Sequence, residues 1–430
     1  MYSVFTAVNQ PSIMARILFL TQVLPYPLFG GPKIRAYYML KYLARDHEVT
    51  LVSFVREDDR PQDIAHLQQF CKEVYPVKIA RSPIKDGRSL VESFFSGTPI
   101  VIARDRIPAM EITLQHLVQE GLFDAIHADQ TSMAYYGLFA KRLHPPGKLP
   151  AAILDQHNAL YLVVERQSLY ERSALMRAVW RREARLLAKY EASLLRQYDT
   201  ILTVTTEDKE ALLDLLPEEE ASRREKSIVV IPICVDPAGQ QMIQPLDRGP
   251  QILHLGTMFW LPNIEGVLWF ANQIFPHILQ EIPEAKFIIA GKNPPPAIRD
   301  LAENSSSLTS NIQVKGFVPD PTDVIAESRV FVVPLLAGGG MRVKILDAWI
   351  WGLPIVSTTI GAEGILKNPG EDILIADEPK EFAAEVVRVL KDPALAYKLR
   401  EKGRASVEMY YDWQQVYQRL DDVYNLYAST

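Results

Sequence analysis

The sequence predicts an α/β protein of two doubly wound, Rossmann-like domains facing a cleft. Three observations carry that reading. Short apolar runs alternate with helical patterns along most of the chain, the mark of parallel sheets built from βαβ units. The runs are apolar almost throughout rather than at every second residue, so the sheets are covered on both faces. The pattern also begins afresh near Ile228–Pro232, and 430 residues leave room for two or three domains.

The elements follow in order. Arg16–Leu20 is a strand, and Gly30-Gly31-Pro32 opens a helix over about Lys33–Ala44. Glu48–Phe54, Ala125–His127, Ala151–Asp155 and Thr200–Val204 are further strands of the first domain, 14–240. Asp236–Pro250 holds Pro, Gly and Gln without periodicity and reads as the linker. In the second domain, 250–410, the strands are Gln251–Gly256, Lys286–Gly291, Gln313–Val318, Val330–Pro334 and Pro354–Thr358. Helices are expected over Ile264–Ile278, from about Met341, and over Trp413–Tyr427. Residues 1–13 carry no pattern and read as a disordered arm or an artefact of a start upstream of Met14.

Composition narrows the function. Hydrophobic residues make up 48% and charged ones 23%, as in an ordinary soluble protein. A formal net charge of −6 argues against nucleic acid as a partner of the whole chain. The two cysteines lie far apart, which excludes a disulfide scaffold or a CxxC metal site and suits a reducing cytoplasm. Met14–Leu20 resembles the start of a signal peptide, but the apolar stretch stops at Thr21-Gln22 and no small-residue cleavage site follows. A cytoplasmic location is therefore expected. Phosphate-loop, GxGxxG, HExxH and GxSxG motifs are all missing, and no Asp-x-Asp clamp follows a strand. No metal and no cofactor are expected.

The most informative stretch is Val333-Pro-Leu-Leu-Ala-Gly-Gly-Gly-Met-Arg-Val-Lys-Ile-Leu-Asp-Ala-Trp. A buried strand ends, three glycines follow and a helix begins. The backbone N–H groups of Gly338, Gly339, Gly340 and Met341 would favour an anion there. Arg342 and Lys344 add positive charge, and Lys344 shares a helix face with Asp347. Lysine for phosphate and aspartate for ribose hydroxyls suit a nucleoside diphosphate. A tight turn followed by an ordinary i,i+3 salt bridge is the plain alternative.

This segment, with Gly352-Leu-Pro-Ile-Val-Ser-Thr, Gly361-Ala-Glu-Gly, His254-Leu-Gly-Thr-Met-Phe-Trp-Leu-Pro-Asn-Ile-Glu-Gly and Ala290-Gly-Lys-Asn-Pro-Pro-Pro, resembles the GT-B fold glycosyltransferases of retaining family 4, or group 1. Within them it is most similar to a subfamily tied to bacterial exopolysaccharide clusters. Gly30-Gly31, Asp124-Ala-Ile-His-Ala-Asp-Gln and Asp155-Gln-His-Asn match in the first half. The resemblance implies that the C-terminal helix, 411–430, crosses back onto the first domain. It also implies a nucleotide-sugar donor in the second domain, held in part at Gly256-Thr257 and by backbone contacts from Gly316, Phe317 and Val318 to the base. The acceptor, a glycan or a polyprenyl-linked sugar, would approach from the first domain past Gly30 and Gly31.

Two departures stand out. The family's two glutamates, with seven residues between them, fall at Gly339 and Asp347, so the one that contacts the donor sugar is missing. The family's diphosphate-holding Arg and Lys fall at Thr257 and Pro262. Arg342 and Lys344 are expected to supply that charge, Lys344 before Arg342, with Lys292 next in line. Asp129 takes the place of a family histidine facing the reacting sugar and is a candidate to orient or deprotonate the acceptor hydroxyl. His127 reads as a core group. His157 and Asn158 read either as acceptor contacts or, for Asn158, as a helix cap.

Arg177, Arg181, Arg185 and Lys189 form a four-spaced ridge beside an apolar line of Met176, Trp180, Leu187 and Leu194. The plain reading is a core-facing helix with a solvated basic face. The sharper one is peripheral contact with an anionic membrane or a polyprenyl diphosphate. With no covalent nucleophile in view, the expected activity is retaining hexosyl transfer by front-face displacement, the diphosphate itself helping to remove the acceptor proton, as the resemblance implies. A nucleotide-sugar epimerase of the same fold and a non-catalytic sugar-nucleotide-binding subunit are the alternatives.

Overall fold

The structure, a computed structural model, describes residues 14–80, 87, 92–171, 173–244, 249–258, 260–303 and 309–428. The arm expected at 1–13 lies outside the described residues, as do the last two of the terminal helix. Among the described residues the apolar runs form thirteen strands in two parallel sheets. The first comprises β1 (Arg16–Thr21), β2 (Glu48–Val55), β3 (Glu73–Lys78), β4 (Ala125–Asp129), β5 (Ala151–Gln156), β6 (Thr200–Thr203) and β7 (Ile228–Val230). Its order is β3-β2-β1-β4-β5-β6-β7. The second comprises β8 (Gln251–Leu255), β9 (Lys286–Ala290), β10 (Ile312–Gly316), β11 (Val330–Val333), β12 (Ile355–Ser357) and β13 (Leu374–Ile375), in the order β10-β9-β8-β11-β12-β13. In each sheet the chain runs from the centre to one edge and then crosses to the other side. The reversals fall between β1 and β4 and between β8 and β11, and the carboxyl ends there form the crevices that bind ligands in such sheets.

Several elements differ from the sequence reading, each for a local reason. β3 escapes it because Pro76 interrupts the run, yet an edge strand tolerates a residue without an N–H. Ile228–Val230 does not open the second half but closes the first sheet beside β6. The helix expected over Ile264–Ile278 extends from Leu261 to Glu281 with a π-helical turn at Phe270–Ile274, which absorbs Pro276 one turn later. The helix expected from about Met341 starts at Val343 instead. Arg342, with ψ 81°, stands at its N-cap, because its guanidinium is tied back to the carbonyls of Gly339 and Gly340. The terminal helix divides into Trp413–Val416 and Arg419–Ala428.

The two halves share one hydrophobic cluster that includes Phe19 of β1, Leu253 of β8, Ile345 and Tyr417. The chain end ties them together. Val235 bridges Asp412, Trp413 stacks on Tyr38 at 5.5 Å, and Tyr42 Oη donates to Asp421 at 2.9 Å. Tyr424 Oη meets His127 Nδ1 at 2.8 Å beneath the first sheet's switch point. The helix Val343–Trp351 is set by Trp349, which is fully buried and donates from Nε1 to the Asp372 carbonyl at 3.0 Å.

Gly403, on the helix Pro393–Tyr410, lies directly against that indole, so a Cβ there would strike the ring. Gly403→Ala should destabilise the protein by about 1–3 kcal/mol, the overpacking cost exceeding the ~1 kcal/mol gained in helix propensity. Urea midpoints measure it. A midpoint equal to or above wild type would mean that Trp349 does not fix this helix.

Candidate active site

Beyond β8 the chain turns through Gly256 and Thr257 against the start of the helix Val343–Trp351. Lys344 Nζ donates to Asn263 Oδ1 at 2.8 Å, and Asn263 Nδ2 donates to the Thr257 carbonyl at 2.9 Å. A Cβ at Gly256 would lie 2.7 Å from Lys344 Nζ and 2.9 Å from Asn263 Nδ2, so a side chain there would displace that pair. The ion pair between Lys344 and Asp347 does not form, since the ammonium turns to Asn263. Asp347 is without a partner among the described residues. Burial, then the Arg342 charge, lowers the Lys344 ammonium to about 7. Burial raises the Asp347 carboxyl to about 7. Below them His254 is fully buried, its Nδ1 on the Val332 carbonyl at 3.0 Å and its Nε2 unpaired.

The glycine loop is held from behind. Arg342 is 4% exposed, donates to the Gly339 and Gly340 carbonyls and lies 5.8 Å over the Trp260 ring. Gly340, at φ 71°, takes a conformation that side chains rarely adopt. Met341 is buried in the shared cluster. Arg342 and Lys344 thus point different ways, one into the loop and one toward β8. Lys292 is exposed on the loop after β9. At the end of β10, Phe317 is exposed and meets the exposed Phe29 edge-on at 6.4 Å across the cleft. Val318 packs against the shared core.

On the first domain, Gly30 precedes the uncapped start of the helix Gly31–Leu43, and a Cβ on Gly31 would lie 3.2 Å from Val343 Cγ2. Arg35 from this helix is fully buried and forks onto Asp155 at the end of β5, with Nε–Oδ2 and Nη2–Oδ1 both 2.7 Å, while Nη1 donates to the Ile231 carbonyl at 2.6 Å. His157 Nε2 lies 2.8 Å from Asp129 Oδ1 and 3.7 Å from Asp155 Oδ2. Burial opposes a charge on His157, but Asp129 and Asp155 outweigh it and raise the imidazole to about 9. Asp129 itself has no exposed surface, so His157, 9% exposed, stands between it and the cleft. His127 is buried, stacked on Phe19 and lowered to about 4 by burial. Asn158 does not cap the next helix; buried Glu191 does, accepting from Leu160 N and Tyr161 N at 2.9 Å.

Asp129, Asp155 and His157 bring three candidate metal-ligand atoms within 4.8 Å of one another. Their two negative charges are already balanced by Arg35 and a protonated His157. A cation would have to displace that proton and compete with the Arg35 fork, so the set fits an ion-pair network better than a metal site. Across the cleft, Arg166 on the helix Leu160–Tyr170 donates to the Gly338 carbonyl at 3.0 Å and reaches Glu363 at 3.4 Å. With Val163, Asp208, Gly339 and Gly340, these two line a crevice between the domains. Sequence reasoning gave no role to Asn263, Arg166, Glu363 or Arg35. The motifs containing Asn263 and Glu363 were visible, but their partners lie 81 and 197 residues away.

The comparisons agree with this architecture. Residues 249–392 match the family described as Glycosyl transferases group 1, and 29–238 the one described as Glycosyltransferase Family 4. An uncharacterized 44.6 kDa protein in the cps region of Klebsiella pneumoniae is 22% identical over 422 residues, spanning 95% of this chain and 99% of that one. Among solved structures, Anabaena HepE in complex with UDP and glucose superposes with a TM-score of 0.64 at 13% identity, over 95% of this chain and 99% of that one. Sucrose-phosphate synthase from Thermosynechococcus elongatus gives a TM-score of 0.67 at 16% identity, over 96% and 100%.

The His157 network has a pH signature. Its folded-state value of about 9 lies above the ordinary imidazole value of 6.5, so its stabilisation is complete below 6.5 and is lost as pH rises through about 9. Across that window wild type should lose about 2–3 kcal/mol more unfolding free energy than His157→Gln. Parallel stability curves for the two proteins would show that His157 carries no charge in the fold.

Proposed function

Starting from the fact that the chain belongs to the group 1, family 4 glycosyltransferases with the GT-B fold, we propose that it moves a hexosyl unit, with retention, from a nucleotide-diphosphate sugar to a hydroxyl acceptor. The donor binds the second domain and the acceptor, a glycan or polyprenyl-linked sugar, enters from the first. One observation carries the reading most: Lys344 and Asp347 leave one helix turn at the second switch point, and neither is paired with a charge of the protein. A diphosphate supplies the anion for Lys344, and ribose hydroxyls supply donors for Asp347. The helix start at Val343 adds its dipole to the same anion.

The chemistry would rest on positioning and on stabilising the leaving diphosphate. Lys344 faces that group, while Arg342 acts at one remove by holding the glycine carbonyls away from it. His157, kept cationic by Asp129 and Asp155, fits an anionic or hydroxyl group of the acceptor. Among the described residues no side chain is arranged as a covalent nucleophile beside a free base, which supports front-face displacement with the diphosphate taking the acceptor proton. The reaction would proceed without a metal, since the one cluster of ligand type among the described residues is already charge-balanced. The cps-region relative supports a place in cell-surface polysaccharide synthesis, and the UDP-glucose complex of Anabaena HepE makes uridine donors the first to try.

Incubation with a panel of nucleotide sugars tests the reaction: slow donor hydrolysis is expected, C2 inversion would assign an epimerase, and binding without turnover a non-catalytic subunit. Activity should survive EDTA. Complete loss on chelation, restored by Mg²⁺ or Mn²⁺, would overturn the metal-free reading.

Lys344→Ala should weaken nucleoside diphosphate binding by about 1–3 kcal/mol and bare nucleoside binding by far less. Arg342→Ala should act mainly on stability, because it removes the tether of the glycine loop. Calorimetric titration of both ligands separates the two effects, and equal losses for both at Lys344 would place the phosphate charge elsewhere, with Lys292 next.

A further inference from the structure

We propose that the outer face of the helix Ala174–Gln197, together with the short helical segment at 92–96, is a docking surface for an anionic lipid bilayer. The sequence shows eight Lys and Arg against four Glu between Glu165 and Tyr198, a modest excess. The fold enlarges it. Glu183 and Glu191 are buried on the inner side, where Glu191 caps the neighbouring helix and Glu183 Oε1 accepts from Val101 N at 3.4 Å. The bases stay outside: Arg181, Arg185 and Lys189 are exposed. Among the described residues, Arg177, Arg181, Arg182 and Arg185 line a surface groove together with Ala174 and Ala178. Among the described residues none of these arginines, nor Lys189, is paired with a carboxylate. This local field is strongly positive on a chain whose formal net charge is −6.

Charge alone would fit any polyanion, but the rim is apolar in a way that selects a bilayer. Phe94 and Phe95 are 69% and 83% exposed and pack edge-to-face at 5.6 Å, and Arg182 lies 5.4 Å over the Phe94 ring. Arg182 also donates to the Ser93 carbonyl at 2.8 Å, which fixes the aromatic segment beside the groove. Leu175, 75% exposed, stands seven residues before Arg182 and thus on the same side of the helix, with Leu169, 64% exposed, at the end of the preceding helix. Large apolar tips next to arginines with long stems are the composition of interfacial elements: the tips enter the acyl boundary while the guanidinium groups meet lipid phosphates.

The position is consistent with this use. The preceding helix, Leu160–Tyr170, packs on Ala174–Gln197 and sends Arg166 across the cleft to Gly338. Docking through the outer helix would hold the cleft beside the membrane without covering it. The inference stands on surface geometry alone and does not depend on which donor the cleft takes.

The test is sedimentation of the full chain with vesicles of phosphatidylcholine and of phosphatidylcholine mixed with phosphatidylglycerol. Wild type should bind the anionic vesicles, and added salt should release it. The double variant Arg181→Glu, Arg185→Glu should partition at least about tenfold more weakly. Phe95→Ser should also weaken partition about tenfold while keeping the salt dependence. Both substitutions are at exposed positions, and unchanged melting temperatures establish that the variants fold. Equal binding to both vesicle types, equal binding by either variant, or no vesicle binding would overturn the proposal. So would binding to soluble heparin alone, which would assign the groove to a soluble polyanion.

Discussion

The buried fork between Arg35 and Asp155 is the interaction on which the first half of the molecule turns. Two charges with no exposed surface are costly unless geometry and further hydrogen bonds compensate, and here both conditions hold. Burial works against ionising Asp155, and Arg35 outweighs it, holding the carboxylate well below its usual range. That single pair joins the helix behind the Gly30-Gly31 turn, the end of β5 and, through the Ile231 carbonyl, the exit from β7. Because Asp155 stays ionised, it can share in holding a proton on His157, so the charge at the cleft surface is set by a pair one layer beneath it.

The second half solves a similar problem with the opposite result. Its strand order repeats that of the first from centre to edge and across, so both crevices open at equivalent places. In the first, buried charges are matched within the protein. In the second, Lys344 has only a neutral amide for a partner, Asp347 has none, and burial brings both close to 7. One crevice is charge-balanced and the other is short of an anion and of hydrogen-bond donors. An asymmetry of this kind suits a division in which one domain positions and the other binds a charged ligand.

Legibility in the sequence followed the range of the interaction. The doubly wound class and most strands were readable because apolar runs and glycine turns are local signals, and Gly338–Gly340 marked the loop before the helix at Val343. What escaped was set by contacts between distant residues. The start of that helix moved because Arg342 folds back onto its own loop, which composition does not reveal. Asp129 read as a cleft carboxylate because it ends a strand, but His157 covers it. Asn158 read as either an acceptor contact or a cap, and the capping role falls instead to Glu191, more than thirty residues on. Arg166 carried no local signal, and Glu363, though inside a visible motif, showed no role there, since the meaning of each lies in meeting the other across two domains.

The same distinction explains how the molecule links its domains. A cleft between two sheets needs a joint that resists collapse, and a single linker at 236–250 would supply little. The chain instead returns after the second sheet, stacks Trp413 on Tyr38 and inserts Tyr424 against His127. Its polar contacts at the cleft mouth are different in kind: Arg166 and Glu363 are both substantially solvated, and such pairs are worth only about 0–1 kcal/mol. The hinge side is therefore fastened by buried aromatic packing and the mouth by exchangeable ion pairs.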